Sequence, residues 1–197
     1  MPHLNRDPIV CAAAVVQALQ TIVSRNVNPL DTAVLSISLI EGGSLMNVVA
    51  DKVRIKGTIR SLSDEVLDRS IERLETIVDC TARAYECRPE IIWKERIPAV
   101  WNSPELTEAG IRCTGMAGCE LTDAPPSLAS EDFALYRKYV PGFFFWLGSR
   151  VPGIQTNELH TPHFYADDKA LIYGSQLFAS CTEYGFQGLD RNTESGS

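Results

Sequence analysis

Two of the chain's three histidines lie in one short segment, residues 159–164, which is the best candidate for chemistry in the sequence. His160 and His163 flank a Thr-Pro pair in a predicted loop after a strand, where ligands and catalytic groups commonly sit. Imidazole can bind a metal ion or move a proton near neutral pH. A loop pair of this kind is more often solvated or hydrogen-bonded than metal-bound, so the spacing alone favours no metal site.

A second candidate combines an amide and a guanidinium on neighbouring segments. Asn47 follows the Gly42-Gly43 pair, and Arg60 closes the segment Gly57-Thr58-Ile59-Arg60. The planar fork of arginine suits a carboxylate, and an asparagine amide can donate beside it. The local pattern by itself favours the simpler interpretation, a hairpin connection followed by an exposed strand arginine.

A third candidate is the acidic pair in Ser130-Glu131-Asp132-Phe133, which could do acid-base work. The favoured interpretation is structural. Ser130 would cap a helix, and the two carboxylates would lie in its first turn, where they complement the helix dipole.

The elements that would position these residues form an α+β pattern in the first half of the chain. Asp7-Pro8 and Ser63 are typical helix starts, and two segments rich in β-branched residues lie between the helices. This is a ferredoxin-like order that lacks its first strand, so either upstream coding sequence is missing or another segment covers the gap. The predicted order is helix, strand, strand, helix, strand, at residues 8–25, 33–40, 53–60, 64–85 and 90–97.

Hydrophobic periodicity assigns faces to these elements. On the second strand, Arg60 falls on the polar face, which is available to solvent or ligand. The apolar positions are Val53, Ile55 and Ile59 on that strand; Ile9, Ala12, Ala13, Val16, Leu19 and Val23 on the first helix; and Leu67, Ile71, Leu74, Val78 and Ala82 on the second.

The second half predicts a smaller α/β segment. Ser103-Pro104 begins a helix that ends near Thr114, a loop surrounds Pro125-Pro126, and another helix begins near Glu131. The aromatic run at residues 142–148 predicts a buried strand, and residues 167–184 predict a closing helix. The predicted domains are therefore 1–98 and 99–186, followed by a polar tail at 187–197.

Composition excludes several classes of function. The 18 basic and 25 acidic residues give a net charge of −7, and no basic cluster is interleaved with aromatics, so nucleic acid is not an expected partner. The apolar stretch at residues 9–23 contains Gln17, Gln20 and Thr21, which predicts no membrane span. Without a secretory signal the expected location is cytoplasmic, and the six cysteines are expected to be reduced thiols.

The order of the motifs along the chain resembles one family. Asp7-Pro8, Gly42-Gly43 with Asn47, Gly57-Thr58-Ile59-Arg60, Ser130-Glu131-Asp132-Phe133 and Leu159-His160-Thr161-Pro162 occur in that order. They resemble the metal-dependent aminoacylase/carboxypeptidase family, in the branch of hippurate hydrolases, N-acyl-amino-acid amidohydrolases and auxin-conjugate hydrolases. The resemblance covers the chain to about Phe186.

The resemblance implies a ferredoxin-like dimerisation lid followed by the C-terminal part of a zinc-peptidase-like catalytic domain. It implies that His160 is a ligand of a divalent metal, zinc or manganese, and that Asn47 and Arg60 hold the substrate's carboxylate. The complete family enzyme uses two ions, and its other ligands and catalytic glutamate belong to a region before Met1. Ala50 departs from the family's usual proline, and His3 does not match the lid histidine that reaches across the dimer.

The expected function is therefore that of a fragment of a homodimeric metal-dependent amidohydrolase that cleaves N-acyl amino acids or small peptides. The chain alone is expected to be inactive. The main alternative is a non-catalytic dimerisation or ligand-binding module of the same family. A third hypothesis is a self-contained metal site formed by His160, His163 and Asp167.

Overall fold

The computed structural model describes residues 1–151, 153–154, 159 and 161–185. They divide into two compact units. The first comprises Met1–Ala99 with Leu128–Ser130, and the second comprises Val100–Ser127 with the described residues from Glu131 onward.

The first unit contains two helices and a β-hairpin. The chain begins with a 3₁₀ turn at Pro2–Leu4. The elements that follow are, in chain order, α1 (Pro8–Leu19), a π-helical turn (Ile22–Asn26), β1 (Ala33–Gly42), β2 (Val53–Ser61) and α2 (Asp64–Ala84). Both predicted caps are present, because Asp7 accepts from the amides of Ile9 and Val10, and Ser63 accepts from that of Val66. These bonds satisfy amides that have no partner within a helix.

The two strands pair antiparallel, from Gly42 opposite Val53 to Ala33 opposite Ser61, with a bulge at Ser38. The predicted alternation on β2 is present: Val53, Ile55 and Ile59 are half-buried, while Arg54 and Lys56 are exposed. The inner face of the hairpin packs against the two helices. The core of the unit consists of Cys11, Val15, Leu19, Ile22, Ile77 and Ala82, with Leu35, Ile37 and Ile55 of the hairpin against it.

The buried face of α1 differs from the prediction. Ala12 and Leu19 are buried as predicted, whereas Ile9 and Ala13, which were expected in the core, are exposed. The other buried residues of this helical segment, which were not predicted, are Cys11, Val15 and Ile22. The helix is apolar on nearly every side, so its periodicity does not determine which stripe meets the sheet. The α2 stripe is confirmed at Leu67 and Ala82, which are buried.

The strand predicted at residues 90–97 is not formed. The segment runs antiparallel along α2, where the Trp93 indole donates to Glu75 at 2.9 Å, Arg96 pairs with Asp68, and the Ala99 amide donates to Asp64 at 3.0 Å. Side-chain bonds to a helix thus take the place of a backbone ladder. The unit is α+β with one two-stranded sheet in its described residues, and the full ferredoxin-like order stays a prediction.

The second unit is built around α3 (Pro104–Met116) and α4 (Lys169–Ser180). It also contains a 3₁₀-helix at Asp132–Lys138 and a π-helical turn at Cys181–Gly185. Cys113, Ala117 and Leu177 form its core, and Cys119, Phe145 and Cys181 pack against them. All six cysteines are free thiols in the structure, and Cys80 is exposed rather than in a core.

The buried strand predicted at residues 142–148 is also absent, and its aromatic residues are half-buried or exposed. The Asn102 side chain takes the place of a neighbouring strand: its amide donates to the Phe144 carbonyl at 2.8 Å, and its oxygen accepts from the Phe144 N–H at 2.9 Å. The Ser103 N–H donates to the Gly142 carbonyl at 2.9 Å. These bonds satisfy the backbone without a ladder.

One helical segment among the described residues, Pro8–Asn26, is long and apolar enough to cross a membrane by length and composition. It extends beyond the stretch 9–23 considered in the sequence. The same composition is typical of the core helix of a globular domain, and Val15, Leu19 and Ile22 of this segment are buried in the core of the first unit.

Candidate functional site

Arg60 lies one residue before the end of β2, and its side chain is half-buried. Its Nη1 donates a hydrogen bond of 2.8 Å to the carbonyl oxygen of Leu128, 68 residues further along the chain. Within the described residues Arg60 forms no ion pair. A neutral oxygen therefore holds the guanidinium, and the positive charge has no carboxylate beside it.

The remaining N–H donors of Arg60 are available to bind a ligand. A guanidinium carries five N–H groups in a fixed plane, and one of them is used by Leu128. The rest meet no acceptor within the described part of the protein. A guanidinium held by one bond can still donate two parallel hydrogen bonds to a carboxylate. Partial burial strengthens this interaction relative to bulk water.

Asn47 lies in the loop between β1 and β2 and is exposed. The loop leaves β1 through Gly43, whose φ of +77° is a conformation that favours glycine. Ala50, where the resemblance led us to expect proline, is buried and helps to line a hollow of about 370 Å³ beside the loop. The amide of Asn47 therefore faces solvent and is available to a ligand.

The structure does not bring Asn47 and Arg60 together. Asn47 lies beyond the Gly42–Val53 pair at one end of the hairpin, and Arg60 lies opposite Val34 near the other end. The seven steps from Val53 to Arg60 extend about 24 Å along the strand. The hairpin of one chain therefore does not place both side chains on one small carboxylate.

The histidine segment is only partly covered, because His160 lies outside the described residues. His163 is exposed. The Asp167 carboxylate accepts from the Lys169 amide at 3.0 Å, and its own N–H donates to the Ser149 carbonyl at 2.7 Å, so it serves the start of α4. No group of three or more His, Cys, Asp or Glu residues among those described is placed to hold a metal, and these donors alone do not fit one.

The acidic pair has a structural role that differs in detail from the prediction. The cap is Glu131 rather than Ser130, and its carboxylate accepts from the Phe133 amide at 3.5 Å. The helix begins one residue later than Ser130 would require, at Asp132.

Comparison with known proteins identifies the fold family of this site. Residues 1–86 match the model of the peptidase dimerisation domain of the M20 family. Residues 1–86 are thus an M20 peptidase dimerisation domain. Its relatives include an N-acetyldiaminopimelate deacetylase of Geobacillus sp., 38% identical over 87% of this chain and 46% of that protein. An N-acetylcysteine deacetylase of Bacillus subtilis is 34% identical over 91% of the chain and 46% of the relative.

Solved structures agree with this M20 assignment. A dinuclear metal-binding M20 peptidase of Bacillus subtilis superposes with a TM-score of 0.71 at 31% identity, covering 88% of this chain and 45% of that one. A structure described as an aminohydrolase of methicillin-resistant Staphylococcus aureus gives a TM-score of 0.81 at 29% identity, over 92% and 47%. The chain spans about half the length of the relatives that it matches.

The resemblance drawn from the sequence is thus confirmed at the level of the family. M20 relatives are hydrolases that act on amide bonds, and the first 86 residues are a dimerisation domain. The roles of His160, Asn47 and Arg60 remain predictions. Sequence reasoning missed the Leu128 carbonyl as the partner of Arg60, and no local signal could have revealed it, because every residue carries a carbonyl and the two positions are remote.

Proposed function

We propose that this chain supplies the carboxylate-binding part of a metal-dependent amidohydrolase that acts on N-acyl amino acids, with Arg60 holding the substrate's free carboxylate. The observation that carries the proposal is the half-buried guanidinium anchored by a neutral carbonyl and left without an ion pair in the described residues. N-acetylcysteine and N-acetyldiaminopimelate, the compounds in the names of two relatives, both carry a carboxylate next to the acylated nitrogen.

Arg60 would contribute binding and orientation to the reaction. Fixing the carboxylate restricts the position of the neighbouring amide, which lowers the entropic cost of reaching the transition state. The same contact selects acyl amino acids over neutral amides. A relative is a dinuclear metal-binding peptidase, but the donors described in this chain do not by themselves form such a site, so no step through a metal is assigned to them.

We assign Asn47 to the same substrate only through a homodimer, which the dimerisation domain of residues 1–86 favours. The span of about 24 Å along β2 is too long for one small molecule to meet both side chains of one protomer. In a dimer the substrate on Arg60 would be completed by the partner's Asn47. A mixed dimer of one Asn47→Ala protomer and one Arg60→Lys protomer would then keep one of its two sites intact. A dimer of either variant alone would have no intact site.

The second candidate function is a non-catalytic ligand-binding module of the same family. The observation that favours it is that the matched family model, over residues 1–86, is a dimerisation domain. The purified chain, supplied with zinc or manganese and N-acetylcysteine, is expected to release no acetate above background. Metal-dependent release that disappears in His160→Ala would contradict this expectation and support a self-contained metal site.

Carboxylate binding can be tested on the chain as it stands. N-acetyl amino acids and their neutral amides are titrated while the arginine Nε signals are followed by NMR. The acids should move the Arg60 signal and the amides should not, and Arg60→Lys should weaken binding of the acids by about tenfold because the bidentate fork is lost.

The matched control is Arg54→Lys, on the same strand, where Arg54 already pairs with Glu41 at 3.5 Å. That variant should bind the acids like the wild type. Equal binding of acids and amides, or equal losses in the two variants, would refute the role of Arg60.

A further inference from the structure

A second hollow, of about 360 Å³, lies in the first unit between the end of the first helical segment and α2. Three arginines line it: Arg25 from the turn Ile22–Asn26, and Arg69 and Arg73 from successive turns of α2. Neither Asn47 nor Arg60 belongs to its lining. The chain as a whole has a net charge of −7, so a lining with more arginines than carboxylates is a local departure from its acidic character.

The arginines of this hollow are not paired directly with its carboxylates. Arg73 donates from Nε to the Asn26 side chain at 3.4 Å, which is a neutral partner. Arg25 and Arg69 form neither hydrogen bonds nor ion pairs with any described residue. Asp31 and Glu72 also line the hollow, yet neither carboxylate lies within ion-pair distance of these arginines.

A buried hydroxyl provides the second, independent observation. Ser70 is only 3% exposed and lines the same hollow, but its side chain has no hydrogen-bond partner in the described part of the chain. No fully buried side-chain oxygen or nitrogen there lacks a partner, so the Ser70 oxygen must reach the open space of the hollow. The Ser70 hydroxyl is therefore a free donor at the wall of the hollow, and a bound anion could accept its hydrogen.

We propose that this hollow is a binding site for a phosphate group, either as the free ion or as a phosphomonoester. Guanidinium groups bind phosphate oxygens through paired, charge-assisted bonds, and the serine hydroxyl supplies a further donor. Three cations facing two carboxylates leave one net positive charge, which suits a small anion. The volume lies at the lower end of the range of small-molecule sites, roughly 300–1,000 Å³, so an organic group can accompany the phosphate.

The site is tested by titrating the chain with inorganic phosphate and with glycerol phosphate at constant ionic strength, using chloride as the reference anion. Saturable NMR shifts are expected at Arg69, Ser70 and Arg73. Arg69→Gln should raise the dissociation constant about tenfold, in keeping with the loss of a charged hydrogen bond. Ser70→Ala should also weaken binding, and because it removes one oxygen it leaves the packing of α2 in place.

The control is Arg54→Gln, which removes one positive charge from the hairpin outside this hollow and should leave phosphate affinity unchanged. Tighter binding of glycerol phosphate than of inorganic phosphate would identify a phosphomonoester site, and equal affinities would identify a site for the phosphate group alone. The proposal is overturned if phosphate shifts do not saturate, or if Arg54→Gln weakens binding as much as Arg69→Gln.

Discussion

Arg60 and Arg54 lie on the same strand and the same nominal face, but their partners give them different chemistry. Arg54 pairs with the Glu41 carboxylate across the hairpin, and both side chains are more than half exposed, so this pair contributes little to stability. Arg60 is half-buried and bound to a carbonyl. An arginine whose charge is already neutralised is a poor anion receptor, whereas one that is anchored but unneutralised is a good one.

The Asn102 side chain holds the 142–148 segment through two hydrogen bonds to the backbone of Phe144. Both of its bonds to Phe144 are lost in Asn102→Ala, which leaves an N–H and a carbonyl of a half-buried segment to find other partners. The free energy of unfolding should fall by about 1–3 kcal/mol. Urea denaturation measures the change.

The control for this prediction is Asn5→Ala, because Asn5 is exposed and its side chain makes one hydrogen bond, to the Met1 carbonyl. Its effect should be small. If the two variants were equally stable, the Asn102 bridge would contribute nothing to folding.

Two thiols should be unusually resistant to ionisation. Burial, followed by hydrogen bonding to a second cysteine, raises the pKa of Cys11 beside Cys87 and of Cys181 beside Cys113 from 9.0 to about 11. Because the folded-state pKa is raised, the stability that these thiols contribute is complete below pH 9 and is lost as the pH rises through about 11.

Alkylation with iodoacetamide, mapped by mass spectrometry, tests this prediction. At pH 8 the native chain should be modified at Cys11 and Cys181 far more slowly than the urea-unfolded chain, because the thiolate is the nucleophile. The difference should shrink toward pH 11. Rapid modification of native Cys11 at pH 8 would contradict the prediction.

The helices show which elements a sequence can determine. The caps at Asp7 and Ser63 were predictable because they depend on neighbours two or three residues away. The α2 stripe was predictable because its apolar residues lie on one side, whereas α1 is apolar all round and its buried face depends on the packing of the hairpin. The segments at 90–97 and 142–148 have strand-like composition, but remote side chains determine their conformation.

Helix α3 contains a close contact that depends on a missing side chain. Gly110 is buried, and a β-carbon there would overlap the ring of Phe143, which also packs against Phe145 at 5.6 Å between ring centroids. Gly110→Ala should therefore destabilise the second unit by about 1–3 kcal/mol, because the ring must leave its position. Thermal unfolding followed by circular dichroism measures the effect.

Gly115 provides a control within the same helix, since a β-carbon there would meet nothing within 4 Å. Gly115→Ala should stabilise the helix by about 0.5–1 kcal/mol, because alanine loses less backbone entropy on folding. Destabilisation by both substitutions would show that α3 requires glycine for its backbone rather than for the Phe143 contact.

For the whole chain, the sequence predicted the family resemblance and the candidate carboxylate-binding arginine. It did not predict how far Arg60 lies from Asn47 along the hairpin. The resemblance implied that Asn47 and Arg60 bind one carboxylate. The two residues are only 13 positions apart in the sequence, and this separation does not reveal that they lie toward opposite ends of the hairpin. That arrangement follows from the register that pairs Gly42 with Val53. A homodimer is therefore required for Asn47 to share the substrate that Arg60 binds.

The two units should unfold as separate cooperative steps, because each has its own core. One core consists of Cys11, Val15, Leu19, Ile22, Ile77 and Ala82, and the other consists of Cys113, Ala117 and Leu177.

Two variants test this independence. Asp7→Ala removes the cap of α1 and should lower the stability of the first unit by about 0.5–2 kcal/mol, while Gly110→Ala should destabilise only the second unit. Hydrogen exchange in increasing urea, followed by mass spectrometry of peptides from α1 and α3, measures both units in one sample. Asp7→Ala should accelerate exchange in α1 alone and Gly110→Ala in α3 alone. If either variant accelerated exchange equally in both helices, the chain would unfold as one cooperative body, and the division into two units would describe its geometry but not its energetics.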